Sequence, residues 1–252
     1  MFRRAITRRP GPDLAAGLTT ADLGAPDWER ALDQHTDYVV ALRGLGLAVE
    51  VLPALPGHPD ACFVEDTAVI VPELAVVTRP GAPSRRGETA SVAAVLGTDR
   101  SLARIAAPGT LDGGDVLVAG RTCWIGLSAR TNLAGARQLA TLLEDRGYAC
   151  ALVPVGAGLH LKSSVNHLGG RRLLMTAEFA GLDCFAGWER IEVPVGEEYA
   201  CNTLWINGTL LVPQQHPATA AKLGDLGLPL IALDTSEIKK LDGGLTCLSL
   251  RF

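Results

Sequence analysis

An internal repetition constrains this chain more than any other feature. Five segments share one shape, a polar or tiny residue leading into a short apolar strand, usually followed by a turn and a second strand. They are VEDTAVIVPELAVVTRPG, GGDVLVAGRTCWIGL, KSSVNHLGGRRLLMT, ACNTLWINGTLLVPQ and GGLTCLSLRF. Aligning the strand entrances sets Asp66, Asp115, Ser164, Asn202 and Cys247 in register, at intervals of 49, 49, 38 and 45 residues. A period in this range means one supersecondary unit per repeat, each unable to bury its apolar face without neighbours. The spacing accommodates one strand-strand-helix-strand unit. The fifth segment has no second strand of its own, and FRRAITRRPG at the N-terminus is expected to supply it and close a ring. Closure would bring the five entrances together around one axis.

The helices expected between the strands are legible by period. PDWERALDQHTDYVVALRGLG carries Trp28, Ala31, Leu32, His35, Tyr38, Val39 and Leu42 at three-four spacing, with a proline at the start and glycines at the end. TNLAGARQLATLLEDRG repeats the scheme, with Thr131 as the expected N-cap and Gly147 as the stop. The pattern is α/β, in a single domain spanning residues 1–252. VGAGLHLK is the nearest approach to a GxGxxG turn and lacks the third glycine, so a dinucleotide fold is not indicated.

With 48% hydrophobic and 20% charged residues, the chain can bury a substantial core and has no compositional sign of disorder. A net charge of −4, with basic runs no longer than pairs such as Arg85-Arg86, leaves no electrostatic footprint for nucleic acid. No apolar stretch reaches the roughly 18 residues of a spanning helix, and MFRRAITRRPG lacks the apolar core of a signal peptide. A cytoplasmic protein without a membrane partner is therefore expected. The six cysteines lie at least 17 residues apart and the five histidines form no HExxH pair. Neither a metal site nor disulfides are expected, so each thiol is either core filling or reactive.

Several residues admit two readings on residue type alone. Cys247, directly beyond Gly243-Gly244 and at the entrance of what reads as a strand, is a buried core thiol or a nucleophile. His160, between leucines, is a satisfied core histidine or an acid-base group. In LDGGDV, Asp112 and Asp115 compete for the role of orienting such a histidine, and either is also an ordinary turn aspartate. Glu65 and Asp66 are adjacent acids in an apolar stretch read as a strand, where period two sends them to opposite faces. An inward carboxylate then needs a cation, from an arginine of the chain or from a ligand. Arg85 and Arg130, taken alone, are solvated charges.

FVEDTAVIV, TRPGAPSRRGE, LDGGDVL, the GLSARTN around Arg130, LHLKSSV and DGGLTCLS resemble the motif series of the dimethylarginine dimethylaminohydrolases, within the guanidino-modifying pentein superfamily. The resemblance covers essentially the whole chain, in order. It implies an α/β fold of five ββαβ units, a pseudo-symmetric propeller, and hydrolysis of monomethyl or asymmetric dimethyl L-arginine to L-citrulline and methylamine or dimethylamine. It also implies a covalent thiouronium on Cys247, with His160 as acid-base and Asp112 as its orienting carboxylate. A soft thiolate suits this attack, because resonance makes the guanidinium carbon a poor electrophile. For the substrate, the resemblance gives Asp66 the guanidinium with Glu65 beside it, Arg85 and Arg130 the carboxylate, and Asp60 the α-amine. Leu18 and Leu241 contribute backbone carbonyls, and PDLAAGLTTADLG is expected to act as a lid. No cofactor is implied.

Related chemistries remain as rivals. Arginine deiminases carry an inserted helical domain for which this chain has no room, and agmatine lacks the carboxylate that two arginines would meet. Amidinotransferases differ only in the acceptor. A non-catalytic ribosome anti-association factor of the same fold would need no convergence of Cys, His and paired acids. Whether the chain forms a homodimer is left open by the sequence.

Overall fold

Each repeat folds as an antiparallel hairpin, a helical crossover and a parallel return strand. The computed structural model describes residues 1–156 and 158–252; Ala157, inside GAGLHLK, lies outside them. The first blade contains β1 (Arg4–Arg8), α1 (Trp28–Gly44) and β2 (Ala48–Leu52), with β1 and β2 parallel. The second contains β3 (Ala68–Val71), β4 (Leu74–Val77), α2 (Thr89–Leu96) and β5 (Leu102–Arg104). The third contains β6 (Val116–Ala119), β7 (Thr122–Leu127), α3 (Leu133–Glu144) and β8 (Ala149–Pro154). The fourth contains β9 (Val165–His167), β10 (Arg172–Met175), α4 (Ala177–Ala180) and β11 (Glu189–Glu192). The fifth contains β12 (Leu204–Ile206), β13 (Thr209–Pro213), α5 (Pro217–Gly224) and β14 (Leu230–Leu233). After α6 (Ser236–Lys239), β15 (Leu250–Arg251) pairs antiparallel with β1 and completes the first blade. The ring thus closes through the N-terminal strand, as the repeat pattern requires.

The strands are apolar on both faces because each blade is packed between two others. Along β7, Cys123 and Ile125 face the second blade while Trp124 faces the fourth; along β10, Leu173 and Met175 face the third while Leu174 faces the fifth. Five apolar clusters result, one between each adjacent pair of blades. Continuous hydrophobic strands are the expected signature of such double burial. Each fully buried leucine stabilises by roughly 1.5–3 kcal/mol, so Leu174→Ala should cost about 2–5 kcal/mol by opening one wedge.

Helix α1 buries Ala31, His35, Tyr38, Val39 and Leu42 of the face its period predicts, while Trp28 at its start is exposed and Leu32 is half-buried; Asp27 caps the helix by accepting the Arg30 amide. In α3 the cap differs from expectation. Asn132, not Thr131, accepts the Gly135 amide, because the Thr131 hydroxyl is committed to Asp115. No helix of the described residues is long and apolar enough to cross a membrane.

The strand entrances are not strands. Val64–Thr67, Gly113–Asp115, Leu161–Ser163 and Glu198–Cys201 are short 3₁₀ turns, and the chain from Asp242 to Ser249 is likewise irregular before β15. These turns carry polar side chains inward where a strand would have to alternate them. The inner strands β3, β6, β9, β12 and β15 line an axial cavity of about 480 Å³.

Candidate active site

The turns at the hub bring together residues from four blades. Asp66 is buried in the Val64–Thr67 turn. One of its oxygens accepts from Arg85 Nη1 at 2.5 Å, and the other accepts the Gly114 amide at 2.8 Å and lies 3.9 Å from Nε2 of His160. Burial works against the Asp66 carboxylate, but the charges of His160 and Arg85 outweigh it and hold its pKa below the usual range.

The DGGD turn separates the two aspartates that sequence left in competition. Asp112 is fully buried; one oxygen accepts the Gly81 amide at 2.8 Å and the other lies 3.1 Å from Nε2 of His160. The carboxylate of Asp115 is spent elsewhere, accepting from the Ser128 and Thr131 hydroxyls and from the Leu161 amide. Asp115 therefore fixes the turn that follows His160, while Asp112 faces the ring. Gly114 permits this closeness, since a Cβ there would lie 2.6 Å from His160 Nδ1 and 2.8 Å from an Asp66 oxygen. Burial disfavours the imidazolium of His160, yet the carboxylates of Asp66, Asp112 and Asp115 outweigh it and raise the pKa to about 9.

Cys247 sits in the irregular segment before β15. Its amide donates to the Gly244 carbonyl at 3.1 Å, and its own carbonyl accepts the Glu65 amide at 3.1 Å, tying the segment to the turn that holds Asp66. The thiol is pushed up to about 12, first by burial and then by the charges of Glu65 and Asp66. A Cβ at Gly244 would strike the Asn202 side chain at 2.2 Å. Asn202 in turn accepts the Thr246 hydroxyl at 2.9 Å, so this strand-entrance residue braces the cysteine segment.

Asp60, Leu18 and Leu241 form a neighbouring group. The Leu18 amide donates to Asp60 at 2.9 Å, and a Cβ on Gly17 would lie 2.9 Å from Asp60 and 3.3 Å from Leu241. Burial pushes the Asp60 carboxyl up, against the charges of Arg85 and Arg130. Arg130 is half-buried on a turn held by Ser128, and no acid lies within ion-pair distance of its guanidinium among the described residues.

Two expected site residues sit differently. Arg85, expected with Arg130 to meet a ligand carboxylate, is buried with its charge already met by the protein. It donates to Asp66 and Glu88 and to the carbonyls of Asp60 and Phe63. A guanidinium so deep must be paired, and adjacent carboxylates do so. Glu65, expected beside a ligand guanidinium, turns to the opposite side of its turn. There one oxygen accepts from Lys162 at 2.7 Å and Arg251 at 2.8 Å, while the second is buried with no hydrogen-bond partner among the described residues. The partners Glu88, Lys162 and Arg251 were missed in the sequence; each looks there like any other charged residue.

Asp66, Asp112 and His160 offer atoms within 4.8 Å of one another, a spacing a cation would need. The three donors are one imidazole and two carboxylates, with Asp66 also accepting from Arg85 and Asp112 from the Gly81 amide.

Five ββαβ blades around a hub of thiol, imidazole and carboxylates define a pentein, the guanidino-modifying class of α/β propeller. Residues 26–178 match the family model described as eukaryotic N,N dimethylarginine dimethylhydrolase. The chain is 41% identical over 254 residues to the N(G),N(G)-dimethylarginine dimethylaminohydrolase of Pseudomonas aeruginosa, covering 100% of both. It is 41% identical over 253 residues to that of Streptomyces coelicolor, covering 99% of this chain and 96% of the other. A solved structure of the Pseudomonas enzyme, a cysteine-to-serine mutant complexed with citrulline, superposes with a TM-score of 0.98 at 40% identity over 100% of each chain. The chain belongs to the dimethylarginine dimethylaminohydrolase family.

Proposed function

We propose that this protein hydrolyses Nω-methylated L-arginine to L-citrulline and methylamine or dimethylamine. One observation carries the reading: a buried imidazole, 3.1 Å from Asp112 and 3.9 Å from Asp66, shares its carboxylate neighbourhood with the thiol of Cys247. In this reading the whole chain, residues 1–252, is one catalytic domain.

Asp66 receives the substrate guanidinium by charge-assisted hydrogen bonds, held in place by Arg85 from behind. Arg130 meets the carboxylate, Asp60 the α-amine, and the backbone carbonyls of Leu18 and Leu241 complete that end. Asp66, one of the two carboxylates that push the Cys247 thiol up, is the one a bound cation offsets, so substrate binding favours loss of the thiol proton to solvent. The thiolate adds to the guanidinium carbon, giving a neutral tetrahedral adduct. His160, protonated and aligned by Asp112, gives its proton to the methylated nitrogen; the C–N bond breaks and the amine departs. A thiouronium cation remains on Cys247. Water then attacks the same carbon and the neutral His160 takes one of its protons; the C–S bond breaks as the hydroxyl proton passes to the departing sulfur, which releases citrulline and restores the Cys247 thiol and the protonated His160. Acid-base help of this kind contributes roughly 10² to 10⁴ in rate.

The substrate is a small molecule, and the reading involves no cofactor, nucleic acid or membrane and fits a cytoplasmic protein. Incubation with arginine, monomethylarginine, asymmetric dimethylarginine and agmatine, assayed for citrulline and carbamoylputrescine, tests it. Citrulline from the methylated arginines is expected; turnover of agmatine alone would overturn the assignment.

A further inference from the structure

The segment that follows Leu18 is exposed, yet it is stitched along its length to one stretch of chain. The Thr20 amide and hydroxyl both donate to Oδ2 of Asp242, at 2.6 and 3.0 Å, and the Thr19 hydroxyl donates to the Lys240 carbonyl at 2.9 Å. Further on, Lys240 Nζ reaches the Ala25 carbonyl at 3.3 Å, and Glu237 accepts the Asp27 amide at 2.7 Å. Every bond of this seam ends on residues 237–242, the stretch that leads into Gly243-Gly244 and Cys247. Asp242 is the junction. Its backbone is left-handed, with φ +57°, a conformation in which aspartate is among the few tolerated side chains. At the near end, the Leu18 amide is held by Asp60.

We infer that Asp242 is a positioning residue that latches the Leu18–Asp27 segment over the site and couples its closure to the turn bearing the nucleophile. The inference rests on the proposed function for its substrate, but the latch itself is read from the protein alone. When the segment lifts, one carboxylate oxygen loses both Thr20 donors at once, and the backbone two residues from Gly244 loses what holds its side chain. Closure and the conformation of the turn that leads to Cys247 are therefore coupled. Leu18 and Asp60, at the segment's start, put the proposed α-amine end of the substrate under the same cover.

Asp242→Gly separates this role from a structural one, because glycine keeps the left-handed backbone while removing the carboxylate. Thr20→Val removes the hydroxyl donor from the exposed side. Three measurements are made on wild type, both single variants and the double: melting temperature, thermolysin cleavage at the exposed Leu23, and KM and kcat on monomethylarginine. Asp242→Gly should leave the melting temperature near wild type. Its cleavage should be about ten-fold faster and its KM about ten-fold higher, the weight of one charge-assisted hydrogen bond. Thr20→Val should shift both in the same direction, and the double variant should be no worse than Asp242→Gly. Wild-type cleavage rate and KM in Asp242→Gly, or effects of the two substitutions that simply add, would overturn the latch. If wild type makes no citrulline, the functional proposal fails, and the cleavage rates alone still decide the latch.

Discussion

The guanidinium of Arg85 lies 2.5 Å from the carboxylate of Asp66, and the side chains of both are 5% exposed. That pair, with Glu88 on the other edge of the same guanidinium, converts an arginine from a ligand contact into part of the wall. The two arginines implied by the family motifs should therefore behave differently. Removing one partner of a buried pair leaves an uncompensated charge, at a cost of about 3–5 kcal/mol. Arg85→Met should lower stability by about that much, read by chemical denaturation, and should abolish turnover through loss of a placed Asp66. Arg130→Ala should change stability by no more than about 0.5 kcal/mol and raise KM by about ten-fold or more. Equal stability losses in the two variants would contradict this division.

Glu65 gives the complementary case. Its carboxylate joins Lys162 and Arg251 beneath the site rather than facing a ligand. Glu65→Gln should cost on the order of 3 kcal/mol by leaving two buried cations without an anion, while the KM of the folded enzyme stays within about three-fold of wild type. A raised KM with unchanged stability would return Glu65 to the substrate side.

The raised pKa of His160 has a consequence for stability. Its folded value of about 9 exceeds the ordinary 6.5, so the folded state binds this proton more tightly than the unfolded chain. The associated stabilisation, on the order of 3 kcal/mol, is fully present below about pH 6.5 and is lost as pH rises through about 9. Urea unfolding of wild type and His160→Gln at pH 6 and pH 9.5 isolates it from the other groups that titrate there. The stability gap between the two proteins should shrink toward the higher pH. A gap that is constant or widens would show that His160 is not held as the cation.

The ring was legible in the sequence because the repeat spacing and the apolar runs are set by the packing of every blade, and FRRAITRRPG offered a partner strand for the last repeat. Asp66, Asp112, His160 and Cys247 were legible because motifs mark them. Less legible were the places where local backbone overrides period. FVEDTAV reads as a strand, but a 3₁₀ turn covers Val64–Thr67 and the strand begins only at Ala68. Glu65 and Asp66 still diverge, through the turn instead of through a pleat. Thr131 has the chemistry of a cap and serves Asp115. Arg85 and Glu65 carry the right charges in the right turns, but apart from Arg85 and Glu88, three residues apart, which carboxylate answers which cation depends on contacts 19 to 186 residues apart. No local pattern encodes those choices.

The covalent step on Cys247 bears most directly on the whole account. Wild-type protein mixed with monomethylarginine, quenched in acid during turnover and examined by intact and peptide mass spectrometry, should carry an adduct of substrate less methylamine on the peptide containing Cys247. Cys247→Ser should form neither adduct nor citrulline while remaining folded. Citrulline produced by that variant, or an adduct found on any of the other five cysteines, would contradict the account.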